Sequence, residues 1–147
     1  MPELEYFVVA ESVSIDQDTN RVSLFNVLET IESDLPHQIA QFTAVAVWLS
    51  QQVEEGRDCQ AMLKVRVPGE DKDREFPVNF TVISLRNRTI IQVEGLTVPQ
   101  HGDVKFSLFL NGVYAASHTI SVVPPISPHS GARRIAGGSE KQAATSE

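Results

Sequence analysis

The sequence of 147 residues holds one cysteine, Cys59, so no disulfide can form within the chain. Stability has to come from a buried core, and a chain of this length can supply one without staples. A reducing compartment is the simplest setting for such cysteine usage. Long apolar runs are missing as well. The longest, Ala44 to Leu49, falls far short of the ~20 residues that a membrane-spanning helix needs. The start, Met1-Pro2-Glu3-Leu4-Glu5, carries two acids and no base and leads into a β-type run, unlike a secretory signal. The expectation is a cytoplasmic protein with no membrane contact.

Basic charge is scarce. Twelve Lys and Arg stand against 19 Asp and Glu, a formal net charge of −7. Up to Val123 there are 17 acids and 9 bases, and from Pro124 onward 3 bases and 2 acids. An acidic body repels nucleic acid and anionic lipid at long range, so no nucleic-acid partner is expected. Arg57, Arg86 and Arg88 make at most a small basic spot. Helical spacing is absent too, the strongest candidate being a single turn near Leu35–Gln41. There is no Gly-rich phosphate loop: Gly69 and Gly112 mark turns, and Gly137-Gly138 lies near the C-terminus.

What the sequence does have is alternation with period two in short segments between turn residues. Val104, Phe106, Leu108 and Leu110 alternate with Lys105, Ser107 and Phe109 up to Asn111-Gly112. That dipeptide favours a type I′ hairpin turn, in which both central residues need positive φ. Beyond it, Tyr114, Ala116, His118, Ile120 and Val122 form the returning face. Phe76, Val78, Phe80 and Val82 form another, with Pro77 suited to an edge. Ala61, Leu63, Val65 and Val67 form a fourth, and Thr89 to Glu94 is a short β-branched run. Upstream, Tyr6–Ile15 and Arg21–Ile31 flank the turn Asp16–Asn20.

About eight strands at this spacing predict an all-β, antiparallel two-sheet β-sandwich, immunoglobulin-like or C2-like, over residues 1–123. From Pro124 to Glu147 proline, glycine, serine and alanine dominate, and Ile126 and Ile135 are the only large apolar residues. Such a segment buries too little surface to offset its ordering entropy, so 124–147 reads as a disordered tail.

Two strands read apolar on both faces. Phe42, Ala44, Ala46 and Trp48 alternate with Thr43, Val45, Val47 and Leu49; Val22, Leu24 and Leu28 alternate with Phe25, Val27 and Ile31. One face of a two-layer sandwich normally meets water and is polar. Either another part of the chain covers these faces, or they form a protein–protein surface, most simply a homo-oligomer. In the second case Phe25, Val27, Val45, Val47 and Leu49 are the interface.

No set of residues completes a catalytic or metal motif. Asp16-Gln17-Asp18-Thr19-Asn20 imitates the start of a calcium loop, but Arg21 stands where glycine is required and Val27 where glutamate is. A looser calcium site would need Asp16 and Asp18 to meet Glu54, Glu55 and Asp58 at one end of the sandwich, as up-and-down connectivity allows. The competing reading is that these acids make good turns and solvated loops. His37 and His101 would share the opposite end near Asp34 and Asp103, as solvated loop residues or a weak metal pair. His118 reads as a hydrogen-bonded core histidine, and nothing in the sequence pairs Cys59 with a base. No cofactor is expected.

The run Ala10-Glu11-Ser12-Val13, followed by Arg21-Val22-Ser23-Leu24-Phe25-Asn26-Val27, resembles the start of a family of short uncharacterised bacterial proteins classed as a domain of unknown function. Pro36, the strand Phe42–Trp48, Gly102 before a strand and Asn111-Gly112 extend the resemblance over residues 4 to 123. It implies a β-sandwich from a bacterium or phage and carries no catalytic residues. Three functions compete: a non-catalytic protein-interaction module that self-associates, a calcium-dependent ligand- or membrane-binding sandwich, and an enzyme with a loop-built site. The first has the most support in the residues.

Overall fold

Period-two patterning becomes strands in the computed structural model, which describes residues 1–126. The described strands are β1 (Glu3–Ile15), β2 (Val22–Val27), β3 (Thr30–Glu32), β4 (His37–Leu49), β5 (Asp58–Arg66), β6 (Arg74–Thr81), β7 (Arg86–Val98), β8 (Gly102–Leu110) and β9 (Val113–Val123). One sheet has the order β2-β1-β4-β7 and the other β3-β9-β8-β5-β6. Connectivity is therefore not up-and-down: β4 to β5 and β6 to β7 cross between sheets. The runs β1-β4-β7 and β9-β8-β5-β6 have the A-B-E and G-F-C-C′ orders of immunoglobulin-type sandwiches, which decides between the two candidate folds.

The inner faces follow the sequence pattern closely. In β5, Cys59, Ala61, Leu63 and Val65 are buried and alternate with more exposed neighbours; in β8, Val104, Phe106, Leu108 and Leu110 do the same. Phe42 and Phe106 meet edge to face across the layers, with centroids 5.1 Å apart. Trp48 stacks on Phe80 at 6.4 Å, and its indole N–H donates to the Thr89 hydroxyl at 3.0 Å. Asn111 and Gly112 have φ of 50° and 82°, the positive pair that a tight β8–β9 hairpin requires.

The segment 21–31 departs from the single strand expected of it. It divides into β2 and β3, which lie in different sheets. Asn26 adopts φ of 56°, and Leu28 donates its N–H to the Val9 carbonyl at 3.0 Å as the chain crosses over. Leu28 and Ile31 then pack on the core while Phe25 and Val27 stay exposed. β3 runs parallel to β9, pairing Thr30–Glu32 with Ser121–Val123, an exception to the antiparallel expectation. Near Leu35–Gln41 the chain forms a cis Leu35–Pro36 bond and enters β4, not a helical turn.

β4 is the doubly buried strand. Every residue from Phe42 to Trp48 is buried. The cover on its outer face comes from the chain itself. β1 pairs with β4 only as far as Ala10↔Thr43, and its remaining residues pair with β2 alone. This β1–β2 arm folds back over the outer face, since Asn20 at its tip accepts from Arg88 of β7 through its carbonyl at 3.1 Å and its side chain at 3.3 Å. Arg88 lies opposite Val47, which lies opposite Tyr6, so the tip has returned to the level of the first strand residues. Val13, Val22 and Leu24 are the half-buried apolar side chains of the arm.

The expected tail falls almost wholly on residues 127–147, outside those described; Pro124–Ile126 follow β9 without regular structure.

Candidate functional site

The sandwich end where β4 stops, β7 starts and β8 turns into β9 carries the most distinctive surface. Two loops meet there, Ser50–Arg57 and Val82–Leu85, and each is fastened to the other. Ser50 donates its N–H to the Leu85 carbonyl at 2.8 Å and its hydroxyl to the Ser84 carbonyl at 2.9 Å. The Asn87 amide donates to the Ser50 hydroxyl at 2.8 Å and to the Ser84 carbonyl at 3.0 Å, and its oxygen accepts the Ile83 N–H at 3.0 Å. Gly56 donates to the Val82 carbonyl at 2.8 Å and Val82 to the Arg57 carbonyl at 2.9 Å. Ser50 and Asn87 are buried, so these bonds are shielded from water, and losing one would leave a costly orphan.

A second fastener is Glu54, which closes the 3₁₀ turn Gln52–Glu54. Its carboxylate accepts the Gln51 N–H at 2.8 Å and meets the Met1 amine at 2.6 Å. The amine first, and the Gln51 N–H second, hold its pKa below the usual carboxylate range. The chain start is thereby tied to the same end.

On this braced base large apolar side chains stand exposed among polar ones such as Gln52, Glu55 and Ser84. Val53 is 75% exposed, Ile83 74% and Leu85 60%, and Met1 stands beside Leu85. Val113 and Tyr114, also exposed, follow the β8–β9 turn, which Asn111 pins to β5 through its bonds with Gln60 at 2.8 and 2.9 Å. In the immunoglobulin-type order these are the B–C, C′–E and F–G connections, and loops clustered at one end of such a sandwich commonly bear recognition.

A groove of about 550 Å³ runs from this end along the outer face, lined among others by Tyr6, Asn20, Phe80, Ile83, Arg86 and Arg88. One of its two arginines is paired with an acid. Arg86 grips Glu5 with two bonds of 2.7 and 3.0 Å, which lower the Glu5 pKa and raise that of Arg86. Arg88 donates to the neutral Asn20, which positions it without balancing its charge. The small basic spot expected from Arg57, Arg86 and Arg88 is therefore not a cluster of free cations.

The residues named from the sequence are placed as follows. Val45 and Val47 are buried beneath the β1–β2 arm and Leu49 is half-buried, so the outer face of β4 is not open to a partner and that expected interface is corrected. Phe25 and Val27 are exposed on the arm. Among the described residues no group of three His, Cys, Asp or Glu side chains could hold a metal ion, so the calcium candidates are not gathered into a site. Asp16 accepts the N–H of Asp18 at 2.9 Å and of Thr19 at 3.0 Å, a turn cap whose bonds, that from Thr19 foremost, lower its pKa. Asp58 accepts the Thr81 hydroxyl at 2.7 Å, and Asp18 and Glu55 are exposed.

His37 and His101 do meet, on Ser33. His37 Nδ1 lies 2.8 Å from its hydroxyl and His101 Nε2 lies 2.9 Å from its carbonyl. That hydroxyl donates to the Asp34 carbonyl at 3.0 Å, a turn arrangement that does not free it as a nucleophile. His118 is hydrogen-bonded within the sandwich. It donates from Nε2 to the Leu28 carbonyl at 2.6 Å and accepts the Val9 N–H at Nδ1, 3.4 Å away. Cys59 is buried in the core beside Trp48 and Val82. Among the described residues no helix is long and apolar enough to cross a membrane.

Residues 5–123 match the Family of unknown function (DUF6941). The chain belongs to that family. The DUF6941 match spans β1 through β9 and stops where β9 stops, so the loop end and the groove lie within it. No curated protein gave a match.

Proposed function

We propose that this DUF6941 domain is a non-catalytic binding module that takes a protein partner on its apolar loop end. One observation carries the reading: Val53, Ile83 and Leu85 are exposed on two loops whose backbones are locked together by the buried Ser50 and Asn87. Exposed aliphatic side chains on a mobile loop would be unremarkable. Held on a braced base, they are already ordered, and a partner that covers them loses little entropy in doing so. Their neighbours are polar, as at the rim of a protein interface.

The test is site-specific photocrosslinking in cells that make the protein. A photoreactive side chain at Ile83 or Leu85 is expected to give one adduct of discrete mass, and the same group at exposed Thr119 on β9 none. Equal crosslinking at all three positions would overturn the reading. So would a discrete adduct that persists when Val53→Asp and Leu85→Asp are introduced beside the Ile83 label.

A further inference from the structure

Among the described residues each sheet has two edges, and three of the four edge strands are guarded. β6 carries Pro77, which has no N–H to offer. β3 is three residues long. β2 belongs to the bent arm and is broken at Asn26 by its positive φ. The fourth, β7, is interrupted only toward its far end, where Gly95 adopts φ of 83°, and the stretch from Arg88 to Glu94 has none of these devices. The strand runs 13 residues from Arg86 to Val98, pairs with β4 on one side and with no described strand on the other, and contains no proline or lysine. Its centre, Thr89-Ile90-Ile91-Gln92-Val93, is uncharged and rich in β-branched residues. A long unguarded edge is a template for another strand.

The charges on β7 indicate which strand. Thr89 and Ile91 point to the core, so Arg88, Ile90, Gln92 and Glu94 lie on the outer face. If a second copy pairs antiparallel about a two-fold axis perpendicular to the sheet, inner faces stay on one side only when even-numbered residues oppose even-numbered ones. Centred on Ile91, that register sets Arg88 opposite Glu94 of the other copy, twice by symmetry, and Thr89 opposite Val93. Arg88 is the suitable arginine. Arg86 is already committed to Glu5, whereas Arg88 donates its terminal nitrogens to the neutral Asn20, which leaves its charge without a carboxylate partner. Glu94 is exposed.

We infer that two copies of this chain associate through β7, joining their four-stranded sheets into one continuous sheet with Arg88 facing Glu94 across the two-fold axis. The surface is separate from the loop end: antiparallel pairing sends the two apolar platforms to opposite ends of the dimer and leaves both open.

The test is the solution mass of the full chain by light scattering after size exclusion, with the dissociation constant from sedimentation, for four proteins of checked fold. The parent is expected to be a dimer at about 100 μM. Glu94→Arg and Arg88→Glu each set like charges across the axis in two places, and each is expected to weaken association by about tenfold or more. The double variant Arg88→Glu/Glu94→Arg restores opposite charges in this register and is expected to return to within about threefold of the parent. A monomeric parent, a dimer indifferent to Glu94→Arg, or a double variant no tighter than the singles would each overturn the inference. If Arg88→Glu does not fold for want of its Asn20 bonds, Glu94→Arg alone decides: weakened association supports the pairing and unchanged association overturns it.

Discussion

The Asn87 side-chain amide donates to the Ser50 hydroxyl at 2.8 Å, joining the start of β7 to the residue after β4 across 37 positions of sequence. Both partners are buried, and the same Asn87 holds Ser84 and Ile83 in place. Asn87→Leu keeps much of the volume but orphans the Ile83 N–H. It should lower stability by about 2–3 kcal/mol, read as a fall in urea midpoint at unchanged slope. It should also raise hydrogen exchange at Ile83 first, because that amide loses its acceptor.

The outer face of β4 offers a sharper contrast. Val45→Asp places a carboxylate beneath the arm with no partner and should lower stability by about 4 kcal/mol or more. Phe25→Asp, on the exposed side of the arm, should stay within about 0.5 kcal/mol of the parent. Urea denaturation of the two variants side by side checks both. Similar large losses in both would mean that Phe25 is covered in solution.

Glu54 sets a pH dependence. Its pKa is lowered in the folded chain, so the folded state binds the proton less readily than the unfolded state. Its contribution is therefore fully present above the unfolded carboxylate value of about 4.3 and is lost as pH falls through the lower folded value. Glu54→Gln keeps an acceptor for the Gln51 N–H but not the charge facing the Met1 amine. The Tm gap between parent and variant should be widest near neutral pH and should close as pH is lowered into the acid range. A gap that grows on acidification would reverse the sign and refute the assignment.

His118 spans the two sheets, reaching from β9 to Val9 on β1 and to Leu28 before β3. His118→Leu fills the site but leaves the Leu28 carbonyl without its donor, and should destabilise by about 1–3 kcal/mol. His118→Gln, which can still donate, should recover part of that loss in the same denaturation measurement.

Much of the architecture is written in local patterns. Asn111-Gly112 specifies its hairpin because few residues accept two consecutive positive φ values, and the inner faces of β5 and β8 alternate cleanly because their outer faces meet water. The division of 21–31 was not legible: Val22 to Ile31 reads as one apolar run, and Leu28 changes sheets only because Val9, distant in sequence, offers its carbonyl. The burial of Val45 and Val47 was visible as a need for cover, but not its source, since β1 shows no residue at which it must leave the sheet after Ala10. The loop platform was missed for the same reason. Serine and asparagine in loops are ordinary, and nothing local marks Ser50 and Asn87 as partners. The acids Asp16, Asp18, Glu54, Glu55 and Asp58 are not gathered, because Asp16 caps its own turn, Glu54 faces the Met1 amine and Asp58 accepts from Thr81, contacts that no spacing in the sequence announces.

The parallel pairing of β3 with β9 has a consequence for how the chain comes to exist. Thr30 through Glu32 can find their partners only after Ser121 through Val123 have been made, and the imidazole that ties Val9 to Leu28 belongs to the same late strand. On a ribosome adding about 5–20 residues each second, the early strands must wait several seconds with one sheet margin unfilled. The first third of the protein is thus an acceptor completed by the last of the described strands.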